Sequence, residues 1–125
     1  MANIMIVDDS ITSRKFLREI LERNGHTVLG EAVNGEEGYL KFKELHPDVV
    51  TMDITMPVMD GIESLSLIKK ENPEVKVLMI TSAGQKEKMI ESIKRGADEF
   101  IMKPFNEAEI LGALEKTIHI QSAHK

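Results

Sequence analysis

Cysteine is absent from the chain, and its absence excludes disulfides, thiolate nucleophiles and cysteine-ligated zinc. Tryptophan is absent too. Four phenylalanines and one tyrosine leave little with which to stack nucleic-acid bases or a flavin ring. Positive charge is also in short supply: the net charge is −5 at neutral pH and no basic run offsets it, which argues against a nucleic-acid surface. No apolar stretch approaches the roughly 20 residues of a membrane-spanning helix, so no membrane association is expected. The N-terminus lacks the basic start and long apolar core of a signal peptide, and the expected location is the cytoplasm. No repeat, low-complexity tract or linker divides the 125 residues, so a single domain is expected, with residues 121–125 fraying at its end.

What the chain does have is a set of short apolar runs, each ended by polar residues. Ile4 to Val7 stops at Asp8-Asp9, Val49 to Met52 at Asp53, Val75 to Ile80 at Thr81, and Phe100 to Met102 at Lys103-Pro104. Such runs read as strands buried on both faces, the pattern of a parallel sheet. Thr27 to Val33 reads as one more, shorter strand. Helical patterns separate the strands. Phe16, Leu17, Ile20 and Leu21 share a face over residues 11–24, before Gly25. Asn34-Gly35 opens a helix that stops at Leu45, before Pro47. Ile62, Leu65 and Ile68 give the third helix its stripe, and Asn72-Pro73 ends it. Met89, Ile90 and Ile93 are expected to face inward from a helix closed by Gly96, and Ile110, Leu111, Leu114 and Ile118 to line the last one. Five βα units predict an α/β doubly wound sandwich with helices on both faces.

In a parallel sheet every strand ends at the same edge, where ligands bind. Asp8, Asp9, Asp53, Thr81 and Lys103 should therefore converge. Clustered carboxylates repel one another unless a cation intervenes. Oxygen ligands of this kind suit Mg²⁺, which takes one or two carboxylates together with phosphate oxygens. A carboxylate held beside that ion can act as a nucleophile toward phosphorus and form an acyl phosphate. Lys103 and the Thr81 hydroxyl, with a backbone N–H nearby, would then receive the phosphoryl oxygens.

The chain resembles the receiver domains of response regulators, and its shortness resembles the stand-alone CheY type. The resemblance is carried by Ile6-Val7-Asp8-Asp9-Ser10, Asn34-Gly35-Glu36-Glu37, Met52-Asp53-Ile54-Thr55-Met56-Pro57-Val58-Met59-Asp60-Gly61, Ile80-Thr81-Ser82-Ala83 and Lys103-Pro104-Phe105. Together these motifs cover nearly the whole chain. The resemblance implies a flavodoxin-like sheet of order 2-1-3-4-5. It makes Asp53 the phosphoacceptor, Asp9 a direct Mg²⁺ ligand, Asp8 a ligand through a metal-bound water, and the Thr55 backbone carbonyl a further ligand. Thr81 becomes the switch hydroxyl and Lys103 the phosphate clamp, with a cis bond to Pro104. Phe100 stands where many members carry a tyrosine or another polar aromatic; an inward-packed Phe100 is expected to report the movement of Thr81. Thr55 and Ala83 occupy the positions that flank the path of hydrolytic water. Neither offers an amide or carboxylate, so slow hydrolysis is expected. A sensor histidine kinase would be the phosphodonor, a flagellar motor switch protein or a phosphotransfer domain the recipient of the signal, and a phosphatase a further partner of a monomeric protein.

Plainer readings stand beside these. Asp-Asp is usually a solvated turn, Thr81-Ser82 could cap the next helix, and Lys103 could lie along the surface. Met52, Met79 and Met102 read as core filler, Met56 and Met59 as partly exposed, and His26, His46, His119 and His124 as surface residues. Lys86, Lys88, Lys94 and Arg95 read as a solvated helix face. A haloacid-dehalogenase-type phosphatase would need a second acid two residues after a nucleophile on the first strand, but Ser10 stands two after Asp8. A flavodoxin-type electron carrier would need a glycine-rich loop there, and residues 10–14 hold no glycine. Within the receiver reading a phosphorelay shuttle, or a receiver cut from a longer transcriptional regulator, stays open.

Overall fold

Strands and helices alternate five times along the chain: β1 Asn3–Val7, α1 Ile11–Arg23, β2 Thr27–Ala32, α2 Gly35–Leu45, β3 Val49–Asp53, α3 Gly61–Glu71, β4 Lys76–Thr81, α4 Lys86–Lys94, β5 Glu99–Met102 and α5 Glu107–His119. The computed structural model describes residues 1–119, and the tail expected to fray lies outside them. All four strand pairings are parallel, in the order β2-β1-β3-β4-β5. Winding therefore reverses between β1 and β3, as the resemblance implied.

Alternation along each strand divides the core into two layers. Ile4 and Ile6 of β1, with Leu78 and Ile80 of β4, face Leu17, Ile20 and Leu21 of α1 and Ile110 and Leu114 of α5. Met5 and Val7, with Val50, Met52, Val77 and Met79, face Phe42 of α2 and Ile62, Leu65 and Ile68 of α3. Burying an aliphatic side chain of this kind contributes about 1.5–3 kcal/mol.

Capping sets where three helices begin. Ser10 Oγ accepts from Ser13 N–H at 3.2 Å, Asn34 Oδ1 from Glu37 N–H at 2.8 Å, and Asp60 Oδ1 from Glu63 N–H at 2.9 Å. Each cap contributes about 1 kcal/mol. Gly61 follows its cap for a steric reason. A Cβ there would stand 2.0 Å from the Asp53 carbonyl oxygen, so the start of α3 can lie against the end of β3 only without a side chain.

Several expectations are corrected on the β5 side. Ile90 and Ile93 are 41% and 49% exposed, and α4 buries only Ser92. β5 is an edge strand paired with β4 alone, so Phe100 is 37% and Met102 55% exposed, not packed inward. Phe16 is also exposed, tilted against Phe105 at 5.9 Å between ring centroids. Helical or strand spacing marks residues that share a face, but it does not say whether another element covers that face. Smaller corrections follow from register. Asp53 and Thr81 are the last residues of their strands, and β2 stops at Ala32. Thr81-Ser82 does not cap α4, whose N-cap is Gln85. Met56 is buried, and His26 is half-buried, accepting from Ala2 N–H at 3.1 Å.

Candidate functional site

The site lies at the C-terminal ends of β1, β3 and β4. β1 and β3 pair with Val7 beside Met52, which brings Asp8 next to Asp53; β3 and β4 pair with Asp53 beside Ile80, which puts Thr81 one step beyond. Carboxylate oxygens of Asp8, Asp9 and Asp53 all lie within 4.8 Å of one another. Asp8 and Asp53 are buried and Asp9 is exposed. Lys103 reaches in from the end of β5, its Nζ 3.0 Å from Asp8 Oδ2 and 3.7 Å from Asp53 Oδ2. The Lys103–Pro104 peptide bond is cis.

Asp8 and Asp53 are held by their backbone surroundings. Asp8 Oδ1 accepts from Ser10 N–H at 2.9 Å, and the Asp8 carbonyl accepts from Arg14 Nη1 at 2.8 Å. Arg14 is itself pinned by Glu31, its Nε 2.8 Å from the carboxylate. Asp53 Oδ1 accepts from Ile54 N–H at 3.1 Å, which leaves Oδ2 facing the lysine and the other acids. Burial, and after it the charge of Asp8, push the Asp53 carboxyl up to about 6; Lys103 opposes the rise, Asp9 adds to it, and the Ile54 N–H opposes it. Three carboxylates facing one ammonium are short of positive charge, and an all-oxygen donor set of this size fits a hard divalent cation.

Thr81 is 2% exposed and pairs in register with Met102 of β5. A cavity of about 260 Å³ opens beside it, lined by Thr81, Met89 of α4 and Met102 among others. Phe100 stands two residues back along β5, beside Met79. The expected neighbour of Thr81 is thus joined by Met102, which the sequence alone marks as filler. Thr55 and Ala83 are exposed near the mouth. Among the residues that sequence reasoning missed are Arg14, which no local motif announces, and Gln85, whose carboxamide nitrogen donates to the Thr55 hydroxyl. Gln85 carries no local sign either, since α4 starts after Gln85 and the Thr55 partner lies 30 residues away.

Comparison with known proteins agrees with this geometry. The profile of the response regulator receiver domain matches residues 4–115. The chemotaxis protein CheY of Thermotoga maritima is 46% identical over 113 residues, 90% of this chain and 94% of that protein. CheY of Bacillus subtilis is 44% identical over 116 residues, 93% of this chain and 97% of that protein. Among solved structures, a chain of the CheX–CheY–BeF3–Mg²⁺ complex of Borrelia burgdorferi superposes with a TM-score of 0.89 at 36% identity, covering 95% of this chain and 90% of that one. With the sheet order, the gathered acids and the family profile in agreement, the chain belongs to the response regulator receiver domains and is of the CheY type.

Proposed function

We propose that this protein is a phosphorylation-activated response regulator in which Asp53 accepts a phosphoryl group from a phosphohistidine of a sensor kinase. The carrying observation is the placement of the buried Asp53 carboxylate within 4.8 Å of two further acids and 3.7 Å from Lys103. Mg²⁺ bound by Asp8, Asp9, Asp53 and the Thr55 carbonyl would neutralise carboxylate and phosphoryl charge. Asp53 Oδ2 attacks phosphorus; the new P–O bond forms as the P–N bond to the donor imidazole breaks, and the imidazole keeps the electron pair and takes up a proton. Lys103 receives one phosphoryl oxygen, and the Thr81 hydroxyl with the adjacent Ser82 N–H receives another. The Asp53 carboxyl, at about 6, is mostly ionised at neutral pH and so competent to attack.

Phosphorylation adds roughly one negative charge at Asp53. Thr81 moves toward the new oxygens, Met102 responds through the cavity beside Thr81, and Phe100 follows along β5. The exposed apolar residues Ile90, Ile93, Phe100 and Met102 form the surface so altered. The similarity to chemotaxis CheY proteins supports a cytoplasmic protein whose output partner is the flagellar motor switch.

The test is direct. Acetyl phosphate with Mg²⁺ should add one phosphoryl group to the wild type by intact mass and none to Asp53→Asn. Label at full level in the variant would remove Asp53 from the role. Phe100→Ala and Met102→Ala should accept the phosphoryl normally yet lose most of the gain in affinity for a motor-switch peptide that beryllofluoride produces in the wild type. Rapid passage of the phosphoryl to a histidine domain would replace motor output by a phosphorelay.

A further inference from the structure

The turn that joins β4 to α4 contains a side chain with no part in the chemistry above. Gln85 N–H donates to the Ser82 carbonyl at 3.3 Å, and Gly84 between them takes φ +85°, a conformation that costs glycine nothing. Ser82 N–H donates in return to Gln85 Oε1 at 2.7 Å. Residues 82 and 85 therefore exchange two hydrogen bonds, which close the turn that leads into α4. Closing the turn needs only the amide oxygen. Here the amide nitrogen points elsewhere, and Gln85 Nε2 donates to Thr55 Oγ1 in the loop that follows Asp53. One carboxamide thus ties the β4–α4 turn to the β3–α3 loop, beyond the Asp53–Ile80 pair of the sheet.

This tie competes with the phosphoryl group for a donor. Ser82 N–H directly follows Thr81, and on the reading of Asp53 as phosphoacceptor it is the backbone donor offered to a phosphoryl oxygen. In this structure Gln85 occupies it. We infer that Gln85 is a positioning residue that holds the site in its unphosphorylated arrangement: a phosphoryl group at Asp53 takes Ser82 N–H from the Gln85 amide, and the same displacement frees Thr55. The exchange favours the phosphoryl group, since a charged acceptor makes the stronger bond. The amide nonetheless lowers the apparent affinity for the phosphorylated arrangement by the strength of the tie, because it binds only the other one.

A residue that only braced the turn would behave differently, and the affinity for beryllofluoride in the presence of Mg²⁺, measured by calorimetry, separates the two. Gln85→Ala should bind beryllofluoride about threefold to tenfold more tightly than wild type, the worth of one net hydrogen bond. Without Mg²⁺ or beryllofluoride, its Ser82 amide should exchange with solvent faster and its urea midpoint should fall, because the turn before α4 loses both side-chain bonds of Gln85. Thr55→Val keeps the backbone carbonyl and removes only the hydroxyl, and it should give a smaller gain of the same sign. The double variant should gain no more than Gln85→Ala alone, since the tie is one unit. Equal or weaker beryllofluoride binding by Gln85→Ala, with the lowered midpoint, would reduce Gln85 to a brace of the turn. Should Gln85→Ala fail to fold, an unchanged affinity in Thr55→Val would overturn the inference by itself. Failure of the wild type to bind beryllofluoride would instead overturn the phosphoacceptor reading, and this inference with it.

Discussion

β3 is buried at all five of its positions, whereas β5 alternates between half-buried and exposed along its four. The contrast extends to the helices beside them. α3 buries Ile62, Leu65 and Ile68 against the sheet, and α4 buries Ser92 and leaves Ile90 and Ile93 in solvent. Asp53, the proposed phosphoacceptor, belongs to the first region and the exposed apolar surface to the second. Phosphoryl chemistry needs its carboxylates, hydroxyl and ammonium held closely, which rigid packed strands provide. A surface that must change when a distant residue is modified is drawn from the less stable part of a fold. Thr81 stands at the boundary, buried at the end of β4 and paired with the exposed Met102.

The largest effect that tests this contrast is a pair of truncations. Leu65→Ala, at a fully buried position, should lower unfolding free energy by about 2–5 kcal/mol, while Ile90→Ala should change it by no more than about 0.5 kcal/mol. Urea unfolding followed by circular dichroism reads both. Similar losses would mean that α4 is covered and the contrast false.

A smaller effect is expected from the charge buried within the rigid region. In cation-free buffer native Asp53 keeps its proton up to about 6, against an ordinary value of 3.8. The native state then binds more protons than the unfolded chain within that window, so its stability is greatest below the window and falls as pH rises through it. Asp53→Asn should therefore be more stable than wild type at neutral pH, by on the order of 1–3 kcal/mol after allowance for solvent screening. The difference should shrink toward the acid end of the window, and saturating Mg²⁺ should shrink it as well. A constant difference across pH would assign it to packing instead.

The smallest effect probes strain in the loop above the rigid strands. Val58 is 77% exposed and holds φ +69°, a left-handed conformation costly for a β-branched residue. Val58→Gly relieves that cost but adds freedom to the unfolded chain, so a net gain of about 0.5–1 kcal/mol is expected in the same urea measurement. A loss would show that the Val58 side chain has contacts worth more than the strain.

Much of the site was legible because its residues close strands. Once Ile4–Val7, Val49–Met52 and Val75–Ile80 read as buried parallel strands, Asp8, Asp53 and Thr81 had to meet at one edge, and the structure brings Lys103 to the same place. The order 2-1-3-4-5 came from the resemblance, because hydrophobic pattern marks a strand but not its neighbour. Phe100, Met102, Ile90 and Ile93 were read as buried for the same reason, since an apolar residue at the right spacing looks alike under a helix and at an open edge. Gln85 was passed over because its partner Thr55 lies 30 residues away.

By itself, the sequence determined the alternation of five strands and helices, the acids and the lysine that end those strands, and the capped starts of α1, α2 and α3. These depend on period, composition and contacts between residues at most a few places apart. Tertiary structure alone decided which strand lies at the edge, how far each carboxylate stands from Lys103, and which hydroxyl the Gln85 amide finds. Those outcomes depend on how helices and loops distant in the chain cover the sheet, a many-body packing result that no local pattern contains.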